Sequence, residues 1–309
     1  MEPQPPEPSR RARAIAGAKA RAERVQARAD AERKRHRSVD AVFDAVDRDG
    51  EIGGGILAGA LAYRFFIWLL PLALVLVAGL GLAASAADES PVESAKGLGL
   101  GGLVSGSIAQ AAKSSNRWYA LLIGIPILLW VTRSLLRALI TVHRLVWGEG
   151  RGTAPKPTPA ATLRLLALLL GYLVVSTLVR AVQVQSAVGG LLFTLFDWSV
   201  FAGLWLLIEL QMPHRATPWR ALVPGAILFG VGIQLLGAVT SYLIVPWAEG
   251  KEGTYGALGL AAALLLGLYL ISRLMVATAV LNATLYERRA SAGSTASASG
   301  SSRSRTSVS

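Results

Sequence analysis

A small set of ionisable side chains lies within or at the ends of long apolar runs, and these carry the chemistry that most needs a physical account. Placing such a group in hydrocarbon costs at least about 2.5–3.5 kcal/mol, so each needs a partner or a path to water. Arg133 and Arg137 stand four residues apart, on one face of a helix, with Arg144 two turns further on. Arg64, the pair Arg133 and Arg137, and Arg273 fall in the inner halves of three different runs, and Glu209, at the inner end of another, can neutralise only one of them. A surplus of guanidinium groups turned into a helix bundle makes a binding site for an anionic headgroup, phosphate or carboxylate, because the planar fork grips such groups with two hydrogen bonds. These four arginines are therefore the expected substrate-binding residues. The competing reading is snorkelling toward the interface, strongest for Arg133 and Arg137, which lie nearest to it.

A second constellation follows from hairpin symmetry. The apolar runs on either side of a short turn around Ser186–Gly190 would lie antiparallel, and Arg180 and Asp197 are equidistant from its centre. They are expected to form a partly buried intramembrane ion pair, whose plainest role is to lock two helices together. Catalytic signatures are lacking. The three histidines, His36, His143 and His214, are far apart, none pairs with a carboxylate at a metal-ligand spacing, and the chain has no cysteine. No phosphate-binding glycine loop, nucleophile elbow or zinc motif is found. The expectation is a protein that is not an enzyme, with no catalytic residue, metal or cofactor.

The elements that must position these groups are set by composition. Of 309 residues 53% are apolar and 16% charged, against about 25% charged in an average soluble domain, and the mean hydropathy is +0.48. Six apolar runs, 56–82, 118–138, 163–182, 190–210, 221–245 and 255–281, each have about the 20 residues that cross 30 Å of hydrocarbon at 1.5 Å per residue. Barrel strands would alternate over about 10 residues, and an unpaired backbone in lipid leaves helices as the solution. The expected fold is all-α, a polytopic membrane bundle of six transmembrane helices. Pro71 and Pro126 remove hydrogen bonds inside the first two helices and are expected kinks. Gly55/Gly59, Gly225 and Gly259/Ala263/Gly267 permit close helix approach. Trp118, Tyr119, Trp147, Trp219, Tyr242, Trp247 and Tyr255 fall near run ends and read as interfacial anchors.

Charge sets orientation. Residues 1–37 are a basic tail with no apolar core of signal-peptide type, expected to be disordered, and 288–309 are a Ser-rich tail of the same kind. Between them lies the membrane domain, 38–287. It opens on Ser38–Asp49, where Val39, Val42, Phe43 and Val46 make an apolar stripe suited to the membrane surface. The acidic stretch 47–51 fails as a calcium loop, because the two essential end ligands would be Ala45 and Ile56. Gly53–Gly55 read as a hinge. If both termini are cytoplasmic, inside segments hold 21 of the 31 Lys and Arg, and outside segments hold Lys96, Lys113, Arg117 and Lys251. This satisfies the positive-inside rule. It also accounts for much of the net charge of +12 without nucleic acid. The expected partners are membrane lipids, anionic ones included, with oligomerisation left open. The outer loop 83–117 contains an apolar portion, 97–112, too short to span, which reads as a surface or re-entrant helix.

Several stretches then fall into a familiar order. Span one reads Leu57-Ala58-Gly59-Ala60-Leu61-Ala62-Tyr63-Arg64-Phe65-Phe66 and reaches Pro71; Arg137–Gly148 forms the exit of span two; Pro224-Gly225-Ala226 opens span five; Thr254-Tyr255-Gly256-Ala257-Leu258-Gly259 opens span six, which ends Leu281-Asn282-Ala283. In this order and spacing, over residues 38–287, the sequence resembles the YihY/BrkB family of bacterial inner-membrane proteins, once called the ribonuclease BN family. His143 and Val280 stand where that family often has Asn and an acidic residue. The resemblance implies a multi-pass protein of the bacterial plasma membrane. Combined with the arginines, it points to a transporter or translocator of an anionic or amphiphilic, lipid-like substrate. The alternative is a structural or envelope-assembly protein with no cargo. The old ribonuclease label finds no positioned acid, base or metal site here.

Overall fold

The computed structural model describes residues 19–21, 24, 37–86, 117–149, 155–181, 187–214, 217–239 and 252–305, and among these it is helical with no strand. The chain divides into two compact units, Met1–Arg48 and Asp49–Ser309. In the first, Arg24 Nε donates back to the Ala20 carbonyl at 3.1 Å, as an Ala/Arg-rich stretch of high helix propensity allows. The apolar stripe falls on α1 (Arg37–Glu51), with Val42 and Val46 exposed.

The second unit contains α2 (Gly54–Ala86), α3 (Arg117–Val146), α4 (Pro159–Ala181), α5 (Ala187–Glu209), a 3₁₀ turn at Trp219–Ala221, α6 (Val223–Val239) and α7 (Glu252–Arg305). Sequence neighbours pack as spatial neighbours, α2 on α3 and so on through α6 on α7, and α7 closes back on α2. The result is a closed ring of six helices. The expected hinge reduces to Ile52–Gly53, where Gly53 takes a left-handed φ of 68° that only glycine adopts freely. Gly54 and Gly55 already belong to α2.

Three helical stretches are long and apolar enough to cross a membrane: Gly54–Gly79, Trp118–Val146 and Ala261–Ser291. The protein is therefore an integral membrane protein by its helices. The described apolar parts of α4 and α6, Pro159–Val175 and Val223–Val239, are shorter. Many side chains on the ring's outer face are large and apolar, with Leu122 71%, Trp130 73% and Leu235 66% exposed. Water would not tolerate so much exposed apolar surface, whereas lipid tails would solvate it. Pro71 and Pro126 lie inside α2 and α3, each continuous through its proline.

α7 runs as helix to Arg305, as an Ala/Ser/Arg-rich stretch that extends a packed helix needs no new nucleus. One expectation is corrected. Trp147 is no interfacial anchor: it is buried to 1% and packs on Tyr286, ring centroids 5.9 Å apart. Trp118, Tyr119 and Trp219 are exposed, as expected of anchors. Tyr242, Trp247 and the outer segment 87–116 lie outside the described residues.

Candidate functional site

The seam between α2 and α3 is held by hydroxyls. Trp68 Nε1 donates to Thr132 Oγ1 at 2.9 Å, and that hydroxyl donates back to the Leu128 carbonyl at 2.7 Å. One turn away along α2, Arg64 Nη1 donates to Ser134 Oγ. Arg64, Arg133 and Arg137 are exposed, and among the described residues none of them meets a carboxylate. Ser134 follows Arg133 and precedes Arg137 by three residues, so its bond draws the Arg64 guanidinium to the helix that carries the other two. Arg64 is thus bonded to the helix that carries Arg133 and Arg137, and those two lie on the exposed stripe of α3 with Leu122 and Trp130 rather than turned into the bundle.

Arg273 does not join them. Its Nη1 donates to Asp49 Oδ1 at 2.8 Å and its Nη2 to Asp49 Oδ2 at 2.6 Å. With both arms of the fork taken by one carboxylate, Arg273 serves as a tie between α7 and the residues before α2. Sequence reasoning missed this partner because it treated Asp49 as part of a surface helix. An acidic residue just ahead of a span is the signal that was available.

Asp197 accepts a bond from Gln234 Nε2 at its Oδ2, which links α5 to α6. Its Oδ1 is buried without a partner among the described residues. The side chain of Arg180, its expected partner, lies outside the described residues. His143 is 3% exposed; its Nδ1 faces the Leu139 carbonyl at 3.0 Å, and its Nε2 has no partner among the described residues. His214 Nδ1 faces the Met212 carbonyl at 2.6 Å. His36 is outside the described residues.

The most constrained polar group is one that spacing did not reveal. Glu209, 2% exposed, ends α5. Its Oε2 accepts from Asn282 Nδ2 at 2.9 Å; the same nitrogen donates to the Leu222 carbonyl at 3.1 Å, and Asn282 Oδ1 accepts from the Gly225 N–H at 2.7 Å. One amide thereby caps the start of α6 and binds the end of α5 to the middle of α7. The fit requires glycine: a Cβ at residue 225 would lie 2.3 Å from Asn282 Nδ2. The Pro224-Gly225-Ala226 and Leu281-Asn282-Ala283 stretches are therefore in direct contact. Glu209 neutralises no arginine among the described residues.

One turn from this clamp along α5 and α6, and two turns along α7, the ring surrounds a cavity of about 140 Å³. Phe65 and Trp68 of α2, Trp205 of α5, Phe229 of α6 and Met275 of α7 are buried parts of its wall. Trp205 stacks on Phe229, centroids 4.4 Å apart, and its Nε1 donates to Thr278 Oγ1 at 3.2 Å. None of the four arginines lines the cavity. Chemically, the ring interior is a hydrocarbon-like space with a buried amide–carboxyl clamp nearby, and Arg64, Arg133 and Arg137 stand exposed on α2 and α3, outside it. Among the described residues no group of His, Asp or Glu is arranged to hold a metal ion.

The family model for virulence factor BrkB matches residues 47–303, and the chain belongs to that family. No curated protein and no solved structure matches it.

Proposed function

We propose that this BrkB-family protein crosses the bacterial plasma membrane six times with both termini in the cytoplasm, and translocates an anionic amphiphile whose headgroup is gripped by Arg64, Arg133 and Arg137. The topology draws on the charge count and on helix length. α4 and α5 have 23 residues each, about 35 Å at 1.5 Å per residue, which exceeds a hydrocarbon thickness of about 30 Å.

The observation that carries the functional reading is the three exposed guanidinium groups on the two packed helices α2 and α3, none of which meets a carboxylate among the described residues. Arg64 lies ten residues into α2, roughly 15 Å from its start and so near mid-depth. Left facing lipid, three such groups would cost about 7–10 kcal/mol, as much as the whole stability of many domains. A bound phosphate or carboxylate offsets that cost with charge-assisted, two-pronged bonds. The ring interior offers an apolar space within the same six helices. The rival reading, a structural protein with no cargo, draws on one observation: the cavity wall holds no arginine.

Native mass spectrometry of the detergent-purified protein with phosphatidylglycerol separates the two. Each charge-assisted bond is worth about 1.5–3 kcal/mol. Arg64→Ala and Arg133→Ala/Arg137→Ala should therefore each lower occupancy by the anionic lipid about tenfold or more. Unchanged occupancy in both variants refutes the headgroup site and leaves the rival standing.

A further inference from the structure

We propose that the central cavity is a binding site for the end of a single hydrocarbon chain, separate from Arg64, Arg133 and Arg137. The inference rests on the membrane-spanning reading of all six helices but not on the headgroup reading.

Three observations select this occupant. The lining is almost wholly apolar, and both of its indole N–H groups are already bonded, Trp68 Nε1 to Thr132 and Trp205 Nε1 to Thr278. A bridging water needs two to four polar partners, and a cavity walled by apolar groups stays dry or fills with an apolar guest. The volume, about 140 Å³, is close to that of a cavity known to admit benzene, so it accommodates about six carbon atoms. That is a chain end and not a whole lipid. Finally, the wall is graded. Trp68, Trp205, Ile208, Phe229 and Met275 are buried, whereas Leu69, Leu173, Ile233 and Leu268 are half-buried, so the space is not sealed. These half-buried residues fall in the interiors of the apolar runs, at a depth where the surrounding medium is itself hydrocarbon.

The stacked Trp205 and Phe229 rings give the site its rigidity. Both are buried, and Trp205 is further fixed by its bond to Thr278. A chain end in this space meets preformed ring faces and branched aliphatic groups, and takes no hydrogen bond from either indole.

The test uses the full-length protein in lipid vesicles that contain a diacylglycerol with a photoactivatable diazirine at the end of one acyl chain. Its headgroup carries neither phosphate nor carboxylate, so labelling does not depend on the arginines. Peptide mapping by mass spectrometry should show label on Tyr172, Leu204 or Ile271 of the cavity wall in excess over Leu122 and Leu235 on the lipid-facing surface. Leu173→Phe and Ile233→Phe, two independent ways to fill the space, should each abolish the cavity label and spare the surface label. Oleic acid and farnesol are added as competitors in separate arms. Displacement by the first identifies an acyl chain, and displacement by the second a prenyl chain. Cavity label that does not exceed surface label, that survives both filling variants, or that neither competitor displaces overturns the proposal. Cavity label that persists in Arg64→Ala and in Arg133→Ala/Arg137→Ala while phosphatidylglycerol occupancy is unchanged in both would sink the headgroup reading alone.

Discussion

Gly225→Ala tests the clamp directly. The added methyl would lie 2.3 Å from Asn282 Nδ2, and Asn282 is not a flexible tip that can step aside. Its amide is pinned by three bonds, at 2.9 Å to Glu209, 3.1 Å to Leu222 and 2.7 Å from Gly225. Moving it forfeits most of all three. At the average measured for hydrogen bonds within membranes, about 0.6 kcal/mol each, the loss is about 2 kcal/mol. If buried groups are left unsatisfied, at about 1–3 kcal/mol each, it rises further. The better helix propensity of alanine returns up to about 1 kcal/mol, less here because residue 225 is in the first turn of α6. The expected net destabilisation is about 1–3 kcal/mol. Asn282→Ala should cost about 2–4 kcal/mol, because it strands the Glu209 carboxyl and the Gly225 N–H together. In the double variant the obstacle and the bonds are already gone, so Gly225→Ala should add almost nothing. The cycle then gives a coupling about equal to the cost of Gly225→Ala alone. Denaturation in mixed micelles, read on each variant, supplies the four free energies. Wild-type stability for Gly225→Ala, or additivity within about 0.5 kcal/mol, would refute the clamp.

Two further outcomes follow from the same geometry. Asp49→Ala removes a bidentate charge-assisted pair that is 13% exposed on the aspartate side and 36% on the arginine side. After discounting for that exposure, the loss should be about 1–2 kcal/mol. Arg273→Ala should cost a similar amount, and the double variant no more than either, as thermal unfolding would show. The topology is tested by cysteine labelling, which is clean because the chain has no cysteine. Lys96→Cys and Lys251→Cys should react with an impermeant maleimide on intact cells, and Lys156→Cys only after permeabilisation. The same accessibility for all three would refute six crossings with cytoplasmic termini.

The division between what was legible in the sequence and what was not has a physical cause. Apolar runs specify helices because a backbone in hydrocarbon has no other way to satisfy its polar groups. The positions of α2, α3, α4 and α5 accordingly fall within a few residues of expectation, although the end of α3 and the tail of α7 run further than hydropathy alone implies. Run length says nothing about rotation or depth, and those decide which polar groups meet. Arg273 was read as free because its partner, Asp49, sits outside the apolar run. Asp197 was given to Arg180 by hairpin symmetry, yet a neighbour on α6, Gln234, also reaches it. Trp147 was read by its position near a run end, and the close passage of α7 buried it instead.

The clamp shows why a polar group in such a fold is best read in pairs. Glu209, Gly225 and Asn282 are individually ordinary: a carboxyl at a run end, a small residue after a proline, an amide late in a span. Each becomes explicable only when the other two are in place, since the glycine admits the amide, the amide caps α6, and the same amide nitrogen binds the carboxyl. In lipid, a lone member of such a set has no water to fall back on. The three arginines of α2 and α3 are the converse case. Arg64, Arg133 and Arg137 meet no carboxylate among the described residues, and the proposed headgroup site would supply the anion that such groups pair with most strongly.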